Sequence, residues 1–109
     1  RNDRQRLDRM KQAMKEARNV DEKTAVINRT RTAYDVESMR FVRAYLDQPE
    51  FSQIACETIV ELAHHRQVRD PNKEEFNAVL DKVITLAKNE EWIERANRYK
   101  RGETWERKK

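Results

Sequence analysis

Apolar residues recur along this chain at steps of three and four, the period of a helix that buries one face. Leu7, Met10, Met14 and Ala17 form the first such stripe and predict a helix over about residues 3–18, ended by Asn19. Asp21 is then expected to cap a second helix running to about Ala33, with Val20 and Ala25 closing a hydrophobic staple around its start. Its buried face is Val26, Ile27, Thr30 and Ala33. Asp35 repeats the cap, opening a third helix that buries Val36, Met39, Val42 and Leu46, with Phe41 and Tyr45 at its flanks. Pro49 is placed in the first turn of a fourth helix, where a missing amide donor costs nothing. Phe51, Ile54, Ala55, Ile59, Leu62 and Ala63 give that helix the most regular stripe in the chain. A polar connection over 66–70 leads through Pro71 to a fifth helix with Phe76, Val79, Leu80, Val83 and Ala87 inward. Asn89 caps a sixth, whose inner face is Trp92, Ile93, Ala96 and Tyr99, and Gly102 closes it.

These helices fall into pairs that recur. Ile27, Val60 and Ile93 lie 33 residues apart, as do Thr30, Ala63 and Ala96. That period belongs to helical-repeat stacks, in which a pair buries its apolar face only against its neighbours. The expected fold is therefore all-α, an α-α superhelix of about three stacked antiparallel pairs. A non-repeating bundle of five or six helices is the alternative. Residues 1–101 are read as the helical-repeat domain and 102–109 as a charged, disordered tail.

Composition bounds this picture. Leu, Ile, Val and Phe make up only 21 of 109 residues and 40% of the chain is charged, close to the composition of disordered proteins. The charges are mixed, however, 24 basic against 20 acidic for a net of +4, so they pair along helix faces rather than repel. One Gly and two Pro leave almost none of the punctuation that sandwiches, barrels or phosphate-cradling loops need. No apolar run approaches the roughly 18 residues of a membrane span. The chain begins at Arg1 rather than Met, which suggests an excised domain or mature fragment.

Certain stretches carry a resemblance. Ala17-Arg18-Asn19-Val20-Asp21-Glu22-Lys23 followed by Val26-Ile27, then Val36-Glu37-Ser38-Met39 and Tyr45-Leu46-Asp47-Gln48-Pro49-Glu50, are similar to HEAT-like repeats appended to bacterial proteins bearing a 3-keto-disaccharide hydrolase (glycoside-hydrolase-like) domain. The similarity covers roughly Met10 to Trp105 and departs from the family at Arg29, Arg31 and Tyr34, where Leu and Gly are usual. It implies an α-α superhelical segment of a larger, exported, carbohydrate-related protein whose catalysis lies in another domain.

Few residues invite chemistry. Glu57, Glu61 and His64 or His65 share a helix face at metal-binding spacing, but adjacent histidines point about 100° apart and lack the His-Glu-x-x-His order of a zincin. A solvated face with a histidine near a helix C-terminus is the simpler reading. Cys56 has no Cys partner and sits in an apolar run, as a packing thiol does. Trp92 and Trp105 could stack on sugars, yet Trp92 is expected to cover the open end of the core and Trp105 to lie in the tail. A nucleic-acid groove needs a continuous basic strip. Here Gln53, Glu57 and Glu61 form an acidic strip between Arg29 and Arg98, and the basic excess gathers at 1–11 and 95–109. The expectation is a non-catalytic scaffold, without cofactor, metal ligand or catalytic residue, presenting a curved surface to a protein partner or a neighbouring domain. A nucleic-acid-binding helical domain is the alternative.

Overall fold

Asn2 accepts a hydrogen bond on its side chain from the Gln5 amide at 3.0 Å, and this cap starts the first helix at Asp3, as expected; the helix ends at Glu16, ahead of the expected stop at Asn19. In the computed structural model, which describes residues 2–105, the chain is helical throughout, with no strand among the described residues. The order is α1 (Asp3–Glu16), α2 (Val20–Arg29), a 3-10 turn (Thr30–Thr32), α3 (Val36–Arg43), α4 (Ser52–Ala63), a one-turn α5 (Arg66–Arg69), a second 3-10 turn (Asp70–Asn72), α6 (Lys73–Leu86) and α7 (Glu90–Lys100).

The buried faces follow the apolar stripes. Leu7, Val26, Ile27, Ala33, Met39, Val42, Leu46, Phe76, Val79, Leu80, Val83, Ala96 and Tyr99 are all buried, and Thr30 joins them by donating its hydroxyl to the Val26 carbonyl at 2.8 Å. That bond satisfies a buried polar side chain inside the helix itself. Helix α4 goes further than one stripe: Ala55, Cys56, Thr58, Ile59, Val60, Leu62 and Ala63 are all buried. It is the central rod of the fold and packs on α2, α3, α6 and α7. The expected caps Asp35 and Asn89 are in place, accepting from the amides of Glu37 at 2.7 Å and of Glu91 at 2.9 Å.

Four local expectations are corrected. The second helix is capped by Asn19, not Asp21: the Asn19 carboxamide accepts from the Glu22 amide at 2.9 Å, while Glu22 reaches back to the Arg18 amide at 2.7 Å. Val20 consequently becomes the first helical residue and stands 48% exposed, so no staple forms. Helix α2 also ends at Arg29 and tightens into the 3-10 turn before Ala33. Pro49 precedes α4 instead of opening it, because Phe51 takes the cap position, buried and edge-on to Tyr45 at 5.7 Å between ring centroids. Finally, the connection over 66–70 is not a simple polar linker. Val68 and Arg69 are buried in it, and it winds one helical turn.

Gly102 takes a left-handed φ of 79°, and the amides of Gly102 and Glu103 donate to the carbonyls of Tyr99 and Arg98, both at 3.0 Å. This double-bonded ending turns the chain back along α7. Residues 103–105 therefore lie beside that helix, with Trp105 packed against the core; the rest of the expected tail, 106–109, lies outside the described residues.

Polar bonds between the α3–α4 and α6–α7 halves recur at a nearly constant sequence separation. Arg40 to Glu75 and Lys82 to Asp47 both span 35 residues, Arg95 to Glu61 spans 34, and His64 to Tyr99 spans 35. Gln53 adds two more, donating to the Leu86 carbonyl at 3.0 Å and accepting from the Lys88 amide at 2.9 Å, so that it finishes the C-terminus of α6.

Candidate functional site

Two neighbouring features stand out, a buried polar cluster and the groove above it. The cluster is built on Tyr99, on the inner side of α7 one turn after Arg95. Arg95 is almost wholly buried, its Nε donating to the Tyr99 hydroxyl at 3.1 Å and its Nη1 to Glu61 at 2.8 Å. Arg69, also buried, donates Nη1 to the Ala63 carbonyl at 2.8 Å, at the C-terminal end of α4, where a helix carries partial negative charge. Both guanidiniums approach the Tyr99 ring, at 5.1 Å for Arg69 and 5.6 Å for Arg95, within range of a cation–π interaction.

The hydroxyl of Tyr99 lies 2.9 Å from Nδ1 of His64. That hydroxyl also accepts from Arg95, so one oxygen joins α7 to the end of α4, the direction of its bond to His64 following the imidazole tautomer. Burial pushes the Tyr99 phenol above its ordinary pKa, so it stays a donor at neutral pH. Beside it, His65 stacks on Tyr34 with centroids 4.0 Å apart, and burial together with neighbouring His64 lowers the His65 pKa. One nitrogen of each guanidinium, Nη2 of Arg69 and Nη2 of Arg95, is buried with no acceptor among the described residues.

Beside this cluster, residues of α4, of α7 and of the segment after it line an open groove of about 1420 Å³. One wall carries Glu57 and Glu61, the other Glu90, Glu91 and Glu94, and Trp92, Trp105, Arg98 and Arg101 complete the lining. Arg98 lies over the Trp105 ring at 5.0 Å and pairs with Glu94 at 3.2 Å. Glu57 pairs with Arg31 of the first 3-10 turn at 3.4 Å.

The sequence candidates are thus redistributed. Glu57 and Glu61 do face one groove, but Glu61 is tied to Arg95 and His64 bonds Tyr99 beneath it, and among the described residues no three metal-ligating side chains converge. Burial raises the Cys56 thiol to about 11, so it remains protonated and packs as a small apolar group. The two tryptophans, expected apart, line the same groove. The signal for Trp105 was Gly102, whose left-handed turn sends the following residues back over α7. Arg69 and Arg95 gave no signal in the apolar pattern, although Arg95 lies on the same side of α7 as Ala96 and Tyr99. No protein-family model, curated protein or solved structure matches the chain.

Proposed function

We propose that this chain is a non-catalytic helical-repeat module that binds a protein partner or a neighbouring domain. The groove between α4 and α7 carries the reading: it is larger than the ~300–1,000 Å³ of a small-molecule site and open to solvent, and it suits an extended segment of chain. Three of its carboxylates take part in holding the fold, Glu61 with Arg95, Glu57 with Arg31 and Glu94 with Arg98.

The architecture under this proposal is a superhelix of three pairs, α1–α2, α3–α4 and α6–α7. Its support is the register. Ile27, Val60 and Ile93 fall on α2, α4 and α7, each the second helix of its pair, and α4 packs against both of the others. The polar bonds recurring at 33–36 residues join positions one unit apart. With the HEAT-like resemblance, the proposal extends to a scaffold segment of a larger, exported, carbohydrate-related bacterial protein.

The test is selection of displayed random peptides on the full chain, followed by binding to Thr104→Arg, which places a long side chain at the exposed edge of the groove. Selected peptides should lose binding to this variant. Peptides that bind both proteins equally, or turnover of a glycoside by the chain itself, would overturn the proposal. Salt-sensitive micromolar binding to duplex DNA would establish the nucleic-acid alternative instead.

A further inference from the structure

The charge of the groove is opposite to that of the protein. The chain as a whole is +4, yet the groove is lined by five glutamates against two arginines; Glu57, Glu61 and Glu94 are paired with Arg31, Arg95 and Arg98, so that Glu90 and Glu91 carry the acidic excess. Helix electrostatics account for only part of this. Glu90 and Glu91 occupy the first turn of α7, where carboxylates complement the amino-terminal end of a helix. Glu61 stands in the last turn of α4, toward the end where carboxylates are disfavoured, Glu57 lies mid-helix, and Glu94 is beyond the first turn of α7.

The groove also shows how it holds a cation. Arg98 lies against Trp105 on one side and bonds Glu94 on the other, an aromatic face and a carboxylate acting on one guanidinium. Trp92 and the carboxylates of Glu90 and Glu91 offer the same pair of chemistries further along the groove, and Glu91, with its side chain 55% exposed, has only a loose 3.7 Å approach to Arg95. A neutral sugar would use the indoles but gain little from five carboxylates. A phosphate backbone would be repelled by them.

We propose that the α4–α7 groove docks a lysine- and arginine-rich segment of a partner protein. This rests on the interaction-module reading and specifies the partner's chemistry. Basic side chains reach between the glutamate walls while their stems lie over Trp92 and Ile93.

The experiment uses three fluorescein-labelled peptides of equal length, composed of Lys, Arg and Ala, of Glu and Ala, and of Gln and Ala, titrated by anisotropy against the full chain. In low salt the basic peptide should bind and the acidic one should not. Neutralising one wall, Glu90→Gln with Glu91→Gln and Glu94→Gln, should weaken basic-peptide binding about ten-fold, and Glu57→Gln on the other wall should weaken it severalfold. A control removing the same charge elsewhere, Asp8→Asn with Glu16→Gln and Glu50→Gln at exposed positions, should leave binding within about two-fold. Circular dichroism checks that each variant is folded. Equal loss in the groove and control variants would overturn the inference. Groove binding of the Gln peptide that Thr104→Arg blocks would also overturn it while leaving the module reading intact. If Thr104→Arg affects no peptide at all, both fail.

Discussion

Arg40 holds Glu75 through two parallel hydrogen bonds, Nε to Oε2 and Nη2 to Oε1, both 2.7 Å, and so fastens α3 to α6. Arg43 adds a third bond to Oε2 at 2.8 Å, and Glu37 braces Arg40 from its own helix. A planar guanidinium matched to a carboxylate fixes geometry as well as charge, which suits a joint between two helices.

The Glu75 carboxyl is held down to about 2 by its bond to Arg40. Its folded-state pKa is below its unfolded one, so its contribution is fully present above the ordinary carboxylate pKa near 4.5 and is lost as pH falls through about 2. Glu75→Gln should lower Tm by a few degrees at pH 7, since the pair is partly solvated. The gap between wild type and variant in urea midpoint should close as pH drops from 4.5 toward 2. A gap that stays constant across that window would show that the pair does not hold the helices together.

Arg95 offers a harsher test. Arg95→Ala removes the charged donor to the Glu61 carboxylate and to the Tyr99 hydroxyl inside the fold. Breaking one side of a buried pair costs about 3–5 kcal/mol, whereas replacing both partners by apolar groups costs much less. Urea unfolding should therefore show a large loss for Arg95→Ala and substantial recovery in Arg95→Met with Glu61→Leu. Additive losses in the double variant would mean that the two residues act independently.

The contrast between these two clamps and the apolar core marks what a sequence of this kind discloses. Val26, Ile27, Thr30 and Ala33, or Phe76, Val79, Leu80 and Val83, are legible because burial on a helix imposes its own period. Asp35 and Asn89 are legible as caps because a short side-chain acceptor before an apolar stripe has few other uses. Arg69 and Arg95 are not legible, because a buried guanidinium depends on partners from other helices, here Ala63 and Glu61. The groove was half legible. The acidic strip of Glu57 and Glu61 followed from α4 alone, but its opposite wall required the placement of α7, and Trp105 required the turn at Gly102.

The cap of α2 separates two sequence-compatible assignments. Asn19→Ala removes the acceptor for the Glu22 amide and should cost about 1 kcal/mol. Asp21→Ala leaves that bond intact and should cost only the few tenths expected of a charge near a helix start. Val20→Ser, at an exposed position, should be nearly neutral. Chemical denaturation of the three variants checks the ranking; a larger loss at Asp21 than at Asn19 would restore the cap first read from the apolar pattern.

His65 should give the fold a slope in the mildly acid range. Burial and then the neighbouring His64 lower its pKa below the ordinary 6.5, with Glu61 pulling the other way. Below 6.5 the unfolded chain takes up a proton at His65 that the folded chain refuses, so stability falls as pH drops from that value toward the lowered folded pKa, and is retained in full above it. His65→Phe keeps a ring against Tyr34 and removes the titration. Its urea midpoint should therefore fall less steeply than that of the wild type between pH 7 and pH 5. The difference between the two curves reports the titration of His65 together with its coupling to His64 and Glu61; parallel curves would mean that its burial carries no cost to the charged form.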